Sequence, residues 1–291
     1  MHEVDAKGIL SAKNGINLYR GCQHGCIYCD SRSTCYQMNH AFEDIEVKRN
    51  SLEILEKELK SRRNKCMIST GAMTDPYLPL EQKLLYTRRS LELIEEYGFG
   101  ARVLTKSDLI LRDLDVITRI HQKTRFVLEM TLTTYDEDLC RIIEPNVAQT
   151  KQRFEVLQTF REAGVPTIVW LCPILPFIND TKENLQGILD YCQKAKVAGI
   201  VNFGMGVTLR SGDREYFYKA LDKSFPGLTQ KYIRTYGEAY SLLSPNNQAL
   251  MSYFRDFCRA NGILSDPSDV MRFSAHFEEK NKPVQLSLFD S

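Results

Sequence analysis

Short apolar runs alternate with longer stretches of helical period through most of this chain, and that alternation restricts its fold more than any other feature. The runs are INLYRG (16–21), KCMIST (65–70), ARVLT (101–105), RFVLEMTLT (125–133), PTIVWLC (166–172) and GIVNFGMGV (199–207). Between them Leu52, Leu55 and Leu59 form one helical stripe, and Leu84, Leu91 and Ile94 form another that stops at Gly98. Further helices read from about Leu109 to Gln122, through Phe154, Leu157 and Phe160 up to Ala163-Gly164, and from Glu183 to Lys196. A period of 3.6 residues exchanging with short β-rich runs marks repeated βα units. Such units give a parallel sheet with right-handed crossovers. Six of them predict an α/β fold, a partial (β/α)6 barrel whose strand ends meet at one mouth.

The 291 residues fit one main domain, since α/β barrels commonly reach this size. Residues 1–211 read as the barrel, 212–275 as a mostly helical extension, and 276–291 as a solvated, flexible tail. The extension carries Tyr216, Tyr218, Tyr232, Tyr236, Tyr240 and Tyr253, which suit a packed helical cap better than a base-stacking platform. No apolar run approaches the roughly 18 residues of a membrane span. The first residues lack the charged-then-apolar pattern of a signal peptide, so a cytoplasmic location is expected. A net charge of +1 gives no general electrostatic footprint for nucleic acid or membrane.

Four of the nine cysteines lie between Cys22 and Cys35, just after the first expected strand and therefore at the mouth. In a reducing compartment an odd count with one tight cluster points to metal binding or catalysis rather than to disulfides. Cys22, Cys26 and Cys29 follow a C-x3-C-x2-C spacing, and three thiolates this close can share one metal centre. A structural zinc site wants a second pair of ligands; none follows, although Cys35 offers a fourth sulfur. An iron-sulfur cluster held by three cysteines leaves one iron open to a small ligand.

This spacing, with Tyr28 before the third cysteine, resembles the radical SAM superfamily. The segments NLYRGCQHGCIYCDSR, TDPYLPLE, LTKSDLILRDLD, EPN and PILPFIND together resemble its spore photoproduct lyase-like branch over about two-thirds of the chain. The resemblance implies a radical SAM barrel carrying a [4Fe-4S] cluster and S-adenosyl-L-methionine. Reductive cleavage of that sulfonium would start hydrogen abstraction, the cofactor supplying the chemistry and the protein the positioning. It further implies cluster ligation by Cys22, Cys26 and Cys29, and cofactor contacts from Tyr28, Thr74 and Lys106, the lysine reaching the cofactor's carboxylate. Thr131 and Thr133 are expected to hydrogen-bond a ribose, and Glu144 and Arg153 to pair near the cofactor, although a surface salt bridge reads equally well. Asn179-Asp180 reads as a cap on the helix that follows.

Spore photoproduct lyase has a cysteine two residues before the position matched by Thr74, where it returns a hydrogen atom to substrate. This chain has Ala72 there. Cys172 or a tyrosine facing the mouth is the expected substitute. DNA is the expected substrate class, with RNA, a peptide or a small molecule as the alternative and a non-catalytic metal scaffold as a third. A reductase, flavodoxin or ferredoxin is the expected electron donor. Near the C-terminus QLSLF resembles the bacterial sliding-clamp-binding motif, with Gln285 held by hydrogen bonds and Leu286, Leu288 and Phe289 as apolar anchors.

Overall fold

The computed structural model describes residues 1–280. The chain begins with β1 (His2–Val4), β2 (Tyr19–Arg20) and β3 (Glu46–Lys48), which form a small sheet in the order β1-β3-β2. β1 runs parallel to β3, and β2 antiparallel to it. The cysteine loop hangs between β2 and β3. Helix α1 (Ser51–Ser61) follows, burying Leu55 and Leu59 as its stripe requires.

The main sheet begins at β4 (Met67–Thr70). Helices α2 (Glu81–Leu84) and α3 (Tyr86–Glu96) then form a broken pair, interrupted where Leu85 takes a positive φ of 58°. After β5 (Gly100–Thr105) a 3-10 turn leads into α4 (Leu114–Lys123), whose Val116, Ile117 and Ile120 are fully buried. Each such side chain contributes about 1.5–3 kcal/mol by leaving water. Next come β6 (Phe126–Thr131), α5 (Glu137–Ile143), α6 (Thr150–Glu162), β7 (Thr167–Trp170), α7 (Lys182–Lys194) and β8 (Gly199–Val201). The five strands β4-β5-β6-β7-β8 pair in sequence order and in parallel throughout. Along β5 and β6, Ala101, Val103, Phe126, Leu128 and Met130 enter the core beneath the helices. The alternate residues Leu104 and Thr131 face the inside of the curved sheet.

Three expectations change here. INLYRG does not form a sixth parallel strand: only Gly15 bridges Ser69 in parallel, and Tyr19–Arg20 turns away to pair with β3. GIVNFGMGV is split, because the chain leaves the sheet after Val201 and resumes as β9 (Gly206–Thr208). The extension is not helical throughout. Between α8 (Asp213–Ser224), α9 (Leu228–Tyr236) and the later α10 (Asn247–Ala260) and α11 (Pro267–Ala275) lies β10 (Ser241–Leu243), antiparallel to β9. At the far edge Gly199 bridges Leu264 in parallel. Helix α11 covers the inner face at the end opposite the mouth, setting Val270 against Met67, Val127, Ile168 and Val201.

The tyrosines of the extension do pack as a cap: Tyr232 is fully buried against Phe217 and donates to the Pro176 carbonyl at 2.6 Å. Residues 276–280, assigned to the tail from sequence, stay on the body, where Phe277 joins the α11 cluster and the Lys280 amide donates to the Lys123 carbonyl. The QLSLF segment lies outside the described residues. Among the described residues no helix is long and apolar enough to cross a membrane.

Candidate active site

The cysteine loop is held from both sides by backbone. The Cys22 amide donates to the Phe42 carbonyl at 2.9 Å, and Ile27 donates to Ile143 at 3.0 Å. Gly21, at a φ of 88°, lies where a Cβ would come within 2.5 Å of the Phe42 oxygen, so only glycine fits. The segment Glu144–Asn146 grips the loop from more than 100 residues away. Asn146 donates from its amide to the His24 carbonyl at 3.1 Å and from Nδ2 to the Gln23 carbonyl at 2.9 Å. Cys22 and Cys26 are buried, while Cys29 reaches the wall of a cavity of about 490 Å³ at the mouth.

That cavity gathers Tyr28, Cys29, Lys106, Thr131, Cys172 and Ala72. Glu144 lies behind it at the centre of a buried network. It accepts hydrogen bonds from Tyr28 Oη and Arg153 Nη2, and from Thr133 Oγ1 at 3.3 Å. Arg153 also donates to the Thr131 carbonyl at 2.8 Å and the Ala148 carbonyl at 2.7 Å. The Glu144–Arg153 pair is therefore internal, and the surface salt-bridge reading is excluded. Burial raises the Glu144 carboxyl, but Arg153 and Lys106 outweigh it and hold the group below the ordinary range. Burial likewise disfavours charge on Lys106, yet Cys26 and Glu144 nearby raise its ammonium above its usual value. The Lys106 Nζ stands 5.9 Å from the Tyr28 ring centre. It is a cation kept charged at the cavity wall beside the cysteine loop, and not a solvated surface lysine.

Thr131 lines the cavity, whereas Thr133 is turned behind it onto Glu144. Thr74 is buried next to Asp75. Asn179 does not cap α7; it accepts from the Leu175 amide at 2.6 Å and donates to the Thr133 carbonyl at 2.7 Å. Asp180 takes a bond from Ser244, and the cap is Thr181, which accepts from the Asn184 amide at 3.1 Å. Cys35 is exposed and receives Arg210 Nη1 at 3.4 Å.

Sequence reasoning passed over Asp75 and His24. Asp75 accepts from the amides of Tyr77 at 2.9 Å and Lys106 at 2.7 Å, and from Thr105 Oγ1 at 2.7 Å, with His24 Nε2 3.0 Å away. It ties the cysteine loop to the loop that carries Lys106. The Asp-Pro-Tyr order was an available signal, since an aspartate bonding the amide two residues on is a turn former. A cavity of about 560 Å³ on the other side of His24, lined by Tyr77, Ser107, Arg112 and Gln152, takes in none of the cysteines.

A curved parallel sheet with three cysteines on the loop entering its mouth defines a cluster-bearing barrel enzyme. The chain belongs to the radical SAM superfamily, whose family model matches residues 16–192. It is 28% identical over 249 residues to an uncharacterized protein of Mycobacterium tuberculosis, covering 81% of this chain and 71% of that one. An uncharacterized protein of Methanocaldococcus jannaschii is 30% identical over 181 residues, with 62% and 67% covered. Among solved structures, spore photoproduct lyase complexed with dinucleoside spore photoproduct superposes with a TM-score of 0.63 at 15% identity, over 89% of this chain and 78% of that one. A point mutant of the same lyase gives 0.64 at 16% identity, with the same coverage. These likenesses establish the shared fold.

The cofactors are a [4Fe-4S] cluster and S-adenosyl-L-methionine. The donor set fits them. A single zinc ion at about 2.3 Å from each sulfur would draw the thiolates to within roughly 3.8 Å of one another. Among the described residues the trio whose ligand atoms all lie within 4.8 Å of one another is instead His2, His40 and Asp44. The wider cysteine spread suits a cluster that gives each thiolate its own iron. Burial pushes the Cys22 thiol up to about 12 and the Cys26 thiol well above its usual value, so these sulfurs await a cation that displaces their protons.

Proposed function

We propose that this radical SAM enzyme abstracts hydrogen from a DNA base or adduct presented at the mouth cavity. The observation that carries the reading is that Tyr28, Cys29, Lys106 and Thr131 share one cavity with the Cys172 thiol. Cys22, Cys26 and Cys29 would hold the cluster, and Lys106 would meet the cofactor's carboxylate. When bound, the cofactor pair supplies a carbon radical on one-electron reduction. The chain's residues do the rest: Tyr28, Glu144 and Arg153 brace the wall, while Cys172 presents a hydrogen on sulfur where Ala72 has none.

For DNA there is local support at the rim. Phe203 in the cavity wall is 66% exposed, Tyr240 just before β10 is 49% exposed, and Leu243 of β10 is 46% exposed. Arg210 lies 5.0 Å over the Tyr240 ring. Exposed aromatic faces next to a guanidinium suit an unstacked base, which the enzyme must take from a single strand or extrude from a duplex. The lyase whose fold the chain shares is known in complex with dinucleoside spore photoproduct, which favours the same substrate class. The tail residues Gln285, Leu286, Leu288 and Phe289 would recruit the enzyme to a sliding clamp, replacing the basic face that a net charge of +1 does not provide.

Reconstituted protein is to be incubated anaerobically with reductant, S-adenosylmethionine and damaged or intact oligonucleotides, following 5′-deoxyadenosine and deuterium transferred into it. Deuterium from labelled DNA is the expected result; its transfer only from RNA, peptide or small-molecule substrates would remove the DNA reading. Alanine at Cys22, Cys26 or Cys29 should abolish iron binding and cleavage, whereas Cys35→Ala should not. A peptide spanning Lys282 to Ser291 should bind the clamp in calorimetry and lose binding on Leu288→Ala with Phe289→Ala.

A further inference from the structure

Away from the mouth, the β1–β3 edge brings His2 against two further potential metal ligands, His40 and Asp44, on the loop that leads into β3. His2 and Glu46 are register partners in the parallel ladder, and the His2 amide donates to the Ile45 carbonyl at 3.0 Å. This pairing places His2 over the loop leading into β3. His2 Nδ1 lies 2.9 Å from Asp44 Oδ2, and the His2 and His40 rings meet edge to face at 4.7 Å. The ligand atoms of His2, His40 and Asp44 all lie within 4.8 Å of one another.

The tautomer of His40 makes the case sharper. Its Nδ1 sits 3.0 Å from the Ala41 carbonyl, which can only accept, so Nδ1 carries the hydrogen. In the neutral ring Nε2 then presents a lone pair. That atom is buried without a hydrogen-bond partner, yet it faces the Glu46 carboxylate at 3.6 Å. A buried ring nitrogen left without a partner, beside the Glu46 carboxylate and within reach of His2 and Asp44, is satisfied by a cation. The Asp44 Oδ1 atom already holds the Met1 amino group at 2.8 Å, leaving Oδ2 toward His2.

We infer that His2, His40 and Asp44 bind a divalent first-row transition metal ion, with zinc as the type ion. Tetrahedral metal bonds of about 2.0–2.2 Å set neighbouring ligand atoms roughly 3.3–3.6 Å apart, so the 2.9 Å His2–Asp44 hydrogen bond has to open only slightly to admit the ion. Small side-chain rotations bring His40 into the same shell, and water completes it. Two imidazoles with one carboxylate are a donor set for zinc or ferrous iron, unlike the all-thiol set at the mouth. The ion would tie β1 to the loop 40–44. That loop supplies the Phe42 carbonyl that receives the Cys22 amide, so the site braces the first cysteine of the cluster loop.

The test uses full-length, cluster-loaded protein without an N-terminal extension or histidine tag, its cysteines being occupied by the cluster. Zinc titration by calorimetry should show one site outside the cluster. The cobalt-substituted form should show a visible spectrum of nitrogen and oxygen ligation, without thiolate charge transfer. His2→Ala and Asp44→Asn, at half-exposed positions where folding is not at stake, should each weaken zinc binding at least about tenfold. His40→Ala should do the same, and zinc should raise the melting temperature of the parent protein but not of the variants. Iron content should stay constant throughout. Zinc binding unaltered in His2→Ala and Asp44→Asn, or no calorimetric zinc site in the parent protein, would overturn the inference.

Discussion

Glu144 and Arg153 form an ion pair in which neither side chain reaches solvent. The pair joins the end of α5 to α6 and, through Tyr28 and the Thr131 carbonyl, fixes one wall of the mouth. Removing one partner leaves the other charge buried and unpaired, which costs about 3–5 kcal/mol. Glu144→Gln should therefore lower the unfolding free energy by that order in urea titration. The double substitution Glu144→Leu with Arg153→Met should cost less than the single one, because it strands no charge. Equal or greater loss in the double variant would show that the pair contributes net stability and does not merely satisfy itself.

Asp75 predicts an acid limb. Burial raises its carboxyl, but His24, the Lys106 amide and Thr105 outweigh that and bring it down to about 2. A carboxylate depressed on folding stabilises the native state above its unfolded pKa of about 3.9 and loses that contribution as pH falls through the folded value. The shift corresponds to about 2 kcal/mol. Asp75→Asn should therefore be less stable than the parent by an amount that is constant above about pH 5 and shrinks progressively toward pH 2. Parallel acid-unfolding curves for the two proteins would refute the assignment.

Much of this fold was legible in the sequence because four of the five strands of the main sheet are four to six residues long and are separated by stripes such as Val116, Ile117 and Ile120. The parts that escaped lack a period to read. Strands β1, β2, β3 and β10 have two or three residues each, and their pairing is set by partners far along the chain. Helix α5 was missed, although Asp136 announces it by accepting from the Asp138 and Leu139 amides. At the site, spacing and resemblance named Tyr28, Cys29, Lys106, Thr131 and Cys172, which line one cavity. They did not reveal that Thr133 turns onto Glu144, or that Thr181 rather than Asn179 caps α7, because strand-end orientation depends on the tertiary partner. The Asp-Pro-Tyr turn offered a signal for Asp75, but not its tie to the cysteine loop, because its partners Thr105, Lys106 and His24 come together only in the fold.

Lys106 should govern cofactor affinity rather than cluster assembly. Its ammonium is held charged at the cavity wall, where a carboxylate would gain a charge-assisted hydrogen bond of about 1.5–3 kcal/mol. Lys106→Ala should raise the dissociation constant of S-adenosylmethionine roughly ten- to hundredfold with iron content unchanged. An unchanged constant would place the cofactor's carboxylate elsewhere.

Cys172 should return hydrogen to the substrate. Burial pushes its thiol up to about 12, with Lys106 pulling only weakly the other way, so at neutral pH the sulfur keeps its hydrogen. Homolytic transfer requires that S–H bond: a substrate carbon radical takes the hydrogen atom, forming C–H and leaving the unpaired electron on sulfur. The thiol hydrogen exchanges with solvent, so in heavy water product formed by this route carries deuterium from Cys172. Cys172→Ala should still yield 5′-deoxyadenosine, since the cluster ligands and Lys106 are untouched, but product per 5′-deoxyadenosine should fall. Solvent deuterium in the residual product should drop with it. Tyr36, which lines the same cavity and donates to Asp30 at 2.8 Å, is the competing donor, and Tyr36→Phe separates the two. If Cys172→Ala keeps both the product ratio and the solvent label while Tyr36→Phe loses them, the tyrosine carries the hydrogen and Cys172 only fills the wall.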